Sequence, residues 1–139
     1  MDEFQSAVDT AKIWQQKGIQ LANLGKYTEA LNYLNRAVAI YPEDLTALVM
    51  RAVVFIHLGE NEAALVDCDR ALAINPKDKQ AWLFKGVALN YLGRYKQCYT
   101  SYDRALGIER RSLGQKLVQM WKGVCGTRHS DTTAMSSSS

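Results

Sequence analysis

The sequence predicts an all-α protein built as a stack of antiparallel helix pairs, an α-solenoid, and three observations predict it. Residues 14–25 (WQQKGIQLANLG) and 82–93 (WLFKGVALNYLG) share Trp, Lys, Gly, Leu and a closing Leu-Gly, and a third copy stands midway at 48–59 (LVMRAVVFIHLG). Within each copy the apolar residues recur at spacings of three and four, which is one face of a helix. A glycine closes each copy, and Pro42 and Pro76 close the segments that follow the first two, so each unit is punctuated into two helices.

The period is 34 residues, and the units are 11–44, 45–78 and 79–112. In the first helix of a unit, Trp14, Gly18 and Leu21 and their counterparts lie on one face. Gly25, Gly59 and Gly93 end that helix. The second helix places Ala30, Leu34, Ala37 and Val38 on one face. Ala64, Cys68, Ala71 and Leu72 match them, as do Cys98, Tyr102, Ala105 and Leu106. Asp44 and Asp78 stand as N-caps for the next first helix. Small residues explain the pairing: Gly18, Ala52 and Gly86 face Ala30, Ala64 and Cys98, so two helices can approach to roughly 8–10 Å. Trp14, Leu48, Trp82, Tyr27 and Tyr95 pack around that contact. One hairpin cannot bury its apolar face alone, whereas stacked hairpins cover one another.

These residues resemble the tetratricopeptide repeat (TPR) family, whose unit also has 34 residues. Trp14, Gly18, Tyr27, Ala30, Leu34, Ala37 and Pro42 stand at the family's places in the first unit, and Trp82, Gly86, Tyr95 and Ala105 in the third. Departures are Leu48 for Trp, Asn61 for Tyr, Cys98 for Ala, and Arg110 where a Pro is expected. The resemblance implies a right-handed superhelical stack with the first helices lining a concave groove.

Residues 1–10 are expected to extend or precede the first helix, with Thr10 as a candidate cap. Ser112 and Gln115 have capping-box spacing, and Leu113, Leu117, Val118 and Trp121 share a face. Residues 113–122 are therefore expected to form a terminal capping helix. Without a proline near Arg110 a rival stands, in which the last helix of the third unit runs on to residue 122. The tail 123–139, rich in Ser, Thr and Gly, is expected to be disordered.

Composition narrows the function. The net charge of +3 is small and scattered, which argues against nucleic acid. No apolar run approaches the roughly 20 residues of a membrane span. The acidic start MDEFQSAVD lacks the order of a signal peptide, so a cytoplasmic protein is expected. Cys68 and Cys98 fall on apolar helix faces and read as structural, and Cys125 lies near the end of the chain. No Cys/His spacing calls for a metal or cofactor. No catalytic motif appears, His57 and His129 are far apart, and the acids Glu43/Asp44 and Asp67/Asp69 read as solvated surface. The chain is not expected to be an enzyme.

By register with the family, the groove-facing residues are Gln15, Gln16, Ile19 and Asn23 in the first unit. They are Val49, Met50, Val53, Ile56 and His57 in the second. In the third they are Gln80, Leu83, Phe84, Val87, Asn90 and Tyr91. Lys12, Ala22 and Thr46 fall on the same wall. TPR domains that grip the C-terminal carboxylates of heat-shock chaperones place Lys, Asn and Arg where this chain has Gln15, Ile19, Met50, Gln80 and Phe84. None of the five matches, and binding a carboxylate needs a cation or converging donors. The asparagine ladder of some long arrays is replaced by Gln16, Met50 and Phe84. Met50 and Phe84 are expected to open into the groove, because Ala, Gly, Trp and Leu already fill the packing side. Some of the others, Val49, Val53 and Leu83 among them, have a competing reading as core. His57 reads as a polar edge residue, with a pH-dependent contact as the alternative.

The expected function is therefore a non-catalytic adaptor that binds an apolar or amphipathic segment of a protein partner, not a chaperone carboxylate. The alternatives are self-association into a homo-oligomer through the groove or through Leu117 and Trp121, and a regulatory fragment of a larger protein. No nucleic-acid or membrane partner is expected.

Overall fold

In the computed structural model the described residues are 2–107, and they form six α-helices and no strand. These are α1 (Asp2–Asn23), α2 (Tyr27–Ile40), α3 (Leu45–His57), α4 (Asn61–Ile74), α5 (Lys79–Tyr91) and α6 (Tyr95–Ala105). Each odd-numbered helix packs on the helix that follows it. In addition, α3 packs on α2 and α5 on α4, which joins the pairs into one stack.

The turn within each pair is built the same way three times. Gly25, Gly59 and Gly93 have φ of 79°, 80° and 78°, a left-handed conformation that a side chain would strain. The residue after each glycine donates its N–H back to the last turn of the preceding helix: Lys26 to Leu21, Glu60 to Phe55 and Arg94 to Leu89, at 2.9, 2.8 and 2.9 Å. The glycine N–H bonds three residues back in each case. These are Schellman motifs, and they satisfy carbonyls that the helix end would otherwise leave bare. Between pairs, Asp44 and Asp78 cap α3 and α5 as expected, accepting from Ala47 N at 3.3 Å and Ala81 N at 2.8 Å.

Two ends differ from the simplest reading of the repeat. Helix α1 runs for 22 residues and begins ahead of the first unit. Thr10 lies inside it, its hydroxyl donating to Ser6 O at 2.9 Å, so Thr10 is not a cap. At the other end α6 stops at Ala105, and Gly107 has φ of 73°. That glycine replaces Ala39 and Ala73 of the earlier units, so α6 does not run on and the rival reading of a continuous helix fails. The expected capping helix 113–122, the tail 123–139 and Cys125 lie outside the described residues.

The core is made of small residues at crossings and larger ones around them. Ala30, Ala52 and Ala64 are fully buried and Cys98 nearly so. At Gly18 a Cβ would lie 2.7 Å from Leu34 Cγ and 3.2 Å from the carbonyl of Ala30, so α1 and α2 touch almost backbone to backbone. Leu34, Leu48 and Leu89 are buried around these contacts, and each contributes roughly 1.5–3 kcal/mol. One cluster runs through Val38, Ala47, Leu48, Val49, Leu72 and Ala81 and so ties all three pairs together. On the outer side Arg36 lies over the Trp14 ring at 5.2 Å, and Arg104 over Trp82 at 5.1 Å.

Asp67 corrects the reading of Asp67/Asp69 as solvated acids. It is 1% exposed, and Arg51 holds it with two parallel bonds, Nε to Oδ2 and Nη2 to Oδ1, both 2.7 Å. Arg51 also donates to Asn35 in the preceding pair at 3.1 Å, which spans three helices with one guanidinium. The signal was a double departure in one unit: Arg51 replaces the Lys of its counterparts where Asp67 replaces Tyr33 and Ser101.

Replacing Arg51 with Met would strand a buried carboxylate and is expected to cost about 3–5 kcal/mol in chemical denaturation. The double variant Arg51→Met with Asp67→Leu should recover most of that loss, because no charge is left unpaired.

Cys68 is fully buried in α4, as expected. Burial pushes its thiol up to about 12, with the carboxylates of Asp67 and then Asp69 pushing the same way and the Lys85 ammonium opposing. The Tyr102 phenol is also raised, chiefly by burial and next by its hydrogen bond with Cys98. Between about pH 9 and 12 the unfolded chain releases the Cys68 proton while the folded chain keeps it, so this group makes stability fall as pH rises. Urea midpoints are expected to drop across that window, and Cys68→Ala is expected to flatten the drop.

Candidate peptide groove

Helix α3 packs on both α1 and α5, so these three form one layer, the wall expected from the family resemblance, and their equivalent positions repeat every 34 residues and so line up as rows across the three pairs. The central row is Ile19, Val53 and Val87, each half-buried. β-Branched side chains are stiff at χ1, so this row lines the wall with little conformational freedom.

The structure sorts the predicted residues by exposure. Gln16, Asn23, His57, Gln80, Leu83, Asn90 and Tyr91 are exposed. Gln15, Ile19, Met50, Val53, Ile56, Phe84 and Val87 are half-buried. Val49 is 3% exposed and packs with Ala37, Val38 and Leu48, so it belongs to the core and not to the groove. The physical reason is what packs beside it: in the middle pair it is covered by residues of both α2 and α4, Ala37, Val38, Ala71 and Leu72, which share its cluster.

Met50 and Phe84 are less open than expected. Met50 packs against Ala22, Ala30, Leu34 and Val54, and so reaches back into the first pair. Phe84 touches two clusters at once, one around Ala47 and Leu48 and one around Ala52 and Cys68. Both side chains are wedges between pairs, with only part of their surface toward the groove. Among the predicted groove residues the exposed large apolar side chains are Leu83, at 42%, and Tyr91, at 65%.

Two groups at the edge are already engaged. Gln15 Nε2 donates to Asp44 Oδ2 at 2.6 Å, so the same carboxylate caps α3 and ties α1 to the loop before it. One of that amide's two hydrogens is thereby taken. His57 stacks on Tyr27 with ring centroids 4.3 Å apart and planes at 5°, a contact between the end of α3 and the start of α2. Sequence reasoning missed both, because each pairs residues far apart in the chain, Gln15 with Asp44 across the first unit and Tyr27 with His57 across two units.

The residues predicted for the groove include no Lys, Arg, Asp or Glu; beside them on α1 stand Lys12 and, one turn before it, the exposed Asp9. The described residues hold no cluster of three His, Cys, Asp or Glu side chains that would suit a metal ion. No helix among them is long and apolar enough to cross a membrane.

Comparison with known proteins agrees with this architecture. Two family models described as tetratricopeptide repeat match residues 16–79 and 79–112. The chain belongs to the tetratricopeptide repeat family, and it is accordingly a protein–protein interaction module. Among solved structures it is similar to the second TPR of Spaghetti (RPAP3) bound to the HSP90 peptide SRMEEVD. That match has a TM-score of 0.74 and 21% identity, covering 78% of this chain and 100% of that one. It is also similar to the Arabidopsis OM64 TPR domain, with a TM-score of 0.72 and 26% identity over 75% of this chain and 86% of that one. A third likeness is to the Sgt2 TPR domain from Aspergillus fumigatus, with a TM-score of 0.67 and 21% identity over 81% and 80%. No curated protein matches the chain.

The two bonds made by Asp44 give a direct expectation. Asp44→Ala should cost about 1–2 kcal/mol in thermal unfolding, more than Asp78→Ala at about 1 kcal/mol, because it removes the helix cap and the Gln15 tie together.

Proposed function

We propose that this chain is a non-catalytic adaptor whose concave wall receives an apolar or amphipathic segment of a protein partner. The observation that carries the reading is the chemistry of the wall. At the five places where the carboxylate-gripping TPR domains use Lys, Asn and Arg, this chain has Gln15, Ile19, Met50, Gln80 and Phe84. None is charged, and Gln15 already gives one of its two amide hydrogens to Asp44. The Spaghetti domain is named with an HSP90 peptide whose sequence, SRMEEVD, ends in acidic residues. A wall without converging cations has little to offer such an end. It does offer Leu83 and Tyr91 in the open and the half-buried row Ile19, Val53 and Val87 beside them.

The affinity follows from the area. Four or five apolar groups, each partly covered on binding, give on the order of 5 kcal/mol gross, and association offsets part of it. Exposed amides such as Gln16, Gln80 and Asn90 can add backbone hydrogen bonds. The sum points to dissociation constants around micromolar.

Leu83 and Tyr91 are the residues to change, because they are exposed and carry little of the core. The double variant Leu83→Glu with Tyr91→Glu is expected to keep its circular dichroism spectrum and to lose the protein partners that the native chain captures. Affinity capture with mass spectrometry makes the comparison, and undiminished capture would remove the groove from the account.

A further inference from the structure

Independently of the groove, we infer that the outer face of α6 is a second docking surface, and that it takes one helix of a partner protein. That helix carries Ala, then Leu or Trp, Met or Phe, Lys or Arg, and Val or Ala at positions i, i+1, i+3, i+4 and i+7. The stack itself shows what the surface is. Val38 and Leu72 are 6% and 9% exposed, because the following pair covers each of them. Leu106 holds the same place in the third pair and is 70% exposed. The same change runs along α6. Ala37 and Ala71 are fully buried where Ala105 is half-buried, and Leu31 and Leu65 are half-buried where Tyr99 is exposed. Helix α6 thus presents the face that α2 and α4 present, and leaves it open at Leu106.

Two helices inside the molecule already occupy that face, and they show what fits it. Helix α3 lays Ala47, Leu48, Met50 and Val54 on the first pair, and its Arg51 donates to Asn35 at 3.1 Å. Helix α5 lays Ala81, Trp82, Phe84 and Ala88 on the second, and its Lys85 pairs with Asp69 at 2.7 Å. These places make one face of a helix. On α6 the counterpart of Asn35 and Asp69 is Asp103, so a cation at i+4 again meets an acceptor. The neighbouring Arg104 is turned back over the Trp82 ring.

Neither end of this chain carries the pattern. A second copy would offer α1, with Ile13, Trp14, Gln16, Lys17 and Gln20 at the same places. The Trp and the cation match, but Gln16 and Gln20 would be covered where Met50 or Phe84 and Val54 or Ala88 lie, which is costly for each amide left unpaired. Continued at the same period, the sequence has Gln115, Lys116, Val118, Gln119 and Lys122. Lys116 and Lys122 would put charge where Leu48 or Trp82 and Val54 or Ala88 put apolar surface. The occupant is therefore a helix from another protein.

The probe is a synthetic peptide with the α5 sequence, KQAWLFKGVALNY, which carries the pattern. It is titrated into the full isotope-labelled chain, and amide signals are followed by NMR. The expected result is that Tyr99, Ala105 and Leu106 shift, while Ile19 and Val53 on the inner wall do not. Leu106→Glu changes an exposed side chain and should weaken binding about tenfold with the fold intact. Asp103→Lys should weaken it by a similar factor, and a peptide with Lys85→Glu should restore it. Three results would each overturn the inference. Absence of any shift shows that the face does not accept a helix from outside. Shifts confined to Ile19 and Val53 place the peptide in the groove. Shifts of Tyr99 and Leu106 on raising the protein concentration, without peptide, make a second copy the occupant.

Discussion

Each helix pair in this protein closes over a small residue on its first helix. Gly18 takes the Leu34 side chain and the backbone of Ala30, Ala52 and Ala64 are fully buried in the second pair, and Gly86 takes the Tyr102 ring. The constraint is geometric. Larger residues at these crossings would push the helices apart, and the leucines, tryptophans and tyrosines packed around them would lose their partners together. The rest follows from that spacing. Close pairs leave one apolar edge on each hairpin, and the next pair must cover it. The cluster from Val38 to Ala81 is that cover.

Stacking in turn decides which residues can face a ligand. Side chains that fill the seams between pairs, such as Val49, Met50 and Phe84, hold the array together. Residues one turn away on the same helices are left for recognition. The contacts made by Arg51, by Gln15 and by the Tyr27–His57 stack serve the same end, since Arg51 and the stack link helices of different pairs and Gln15 ties α1 to the residue that caps α3.

Much of the fold was legible in the residue order. The 34-residue period, the glycines at 25, 59 and 93 and the caps at Asp44 and Asp78 all describe local geometry, and local geometry is what spacing and residue type report. The end of α6 was less so: Gly107 decided it, and a glycine in a helical pattern is compatible with either outcome until its φ is known. The candidate wall was legible as a register but not as a surface. Periodicity places Val49 and Leu83 at equivalent positions, yet one is in the core and the other is open. The difference comes from what packs beside each, which is not in the repeat.

The sequence by itself determined the architecture: three units, two helices in each, and small residues at the crossings. It did so because these depend on contacts within one unit or between identical positions of neighbouring units. Only the tertiary structure decided that Asp67 is a buried ion-pair partner, that Gln15 is tied to Asp44, and that Met50 and Phe84 are wedges. Each of those depends on a side chain from another helix arriving at a particular distance, and one-dimensional spacing carries no record of that distance.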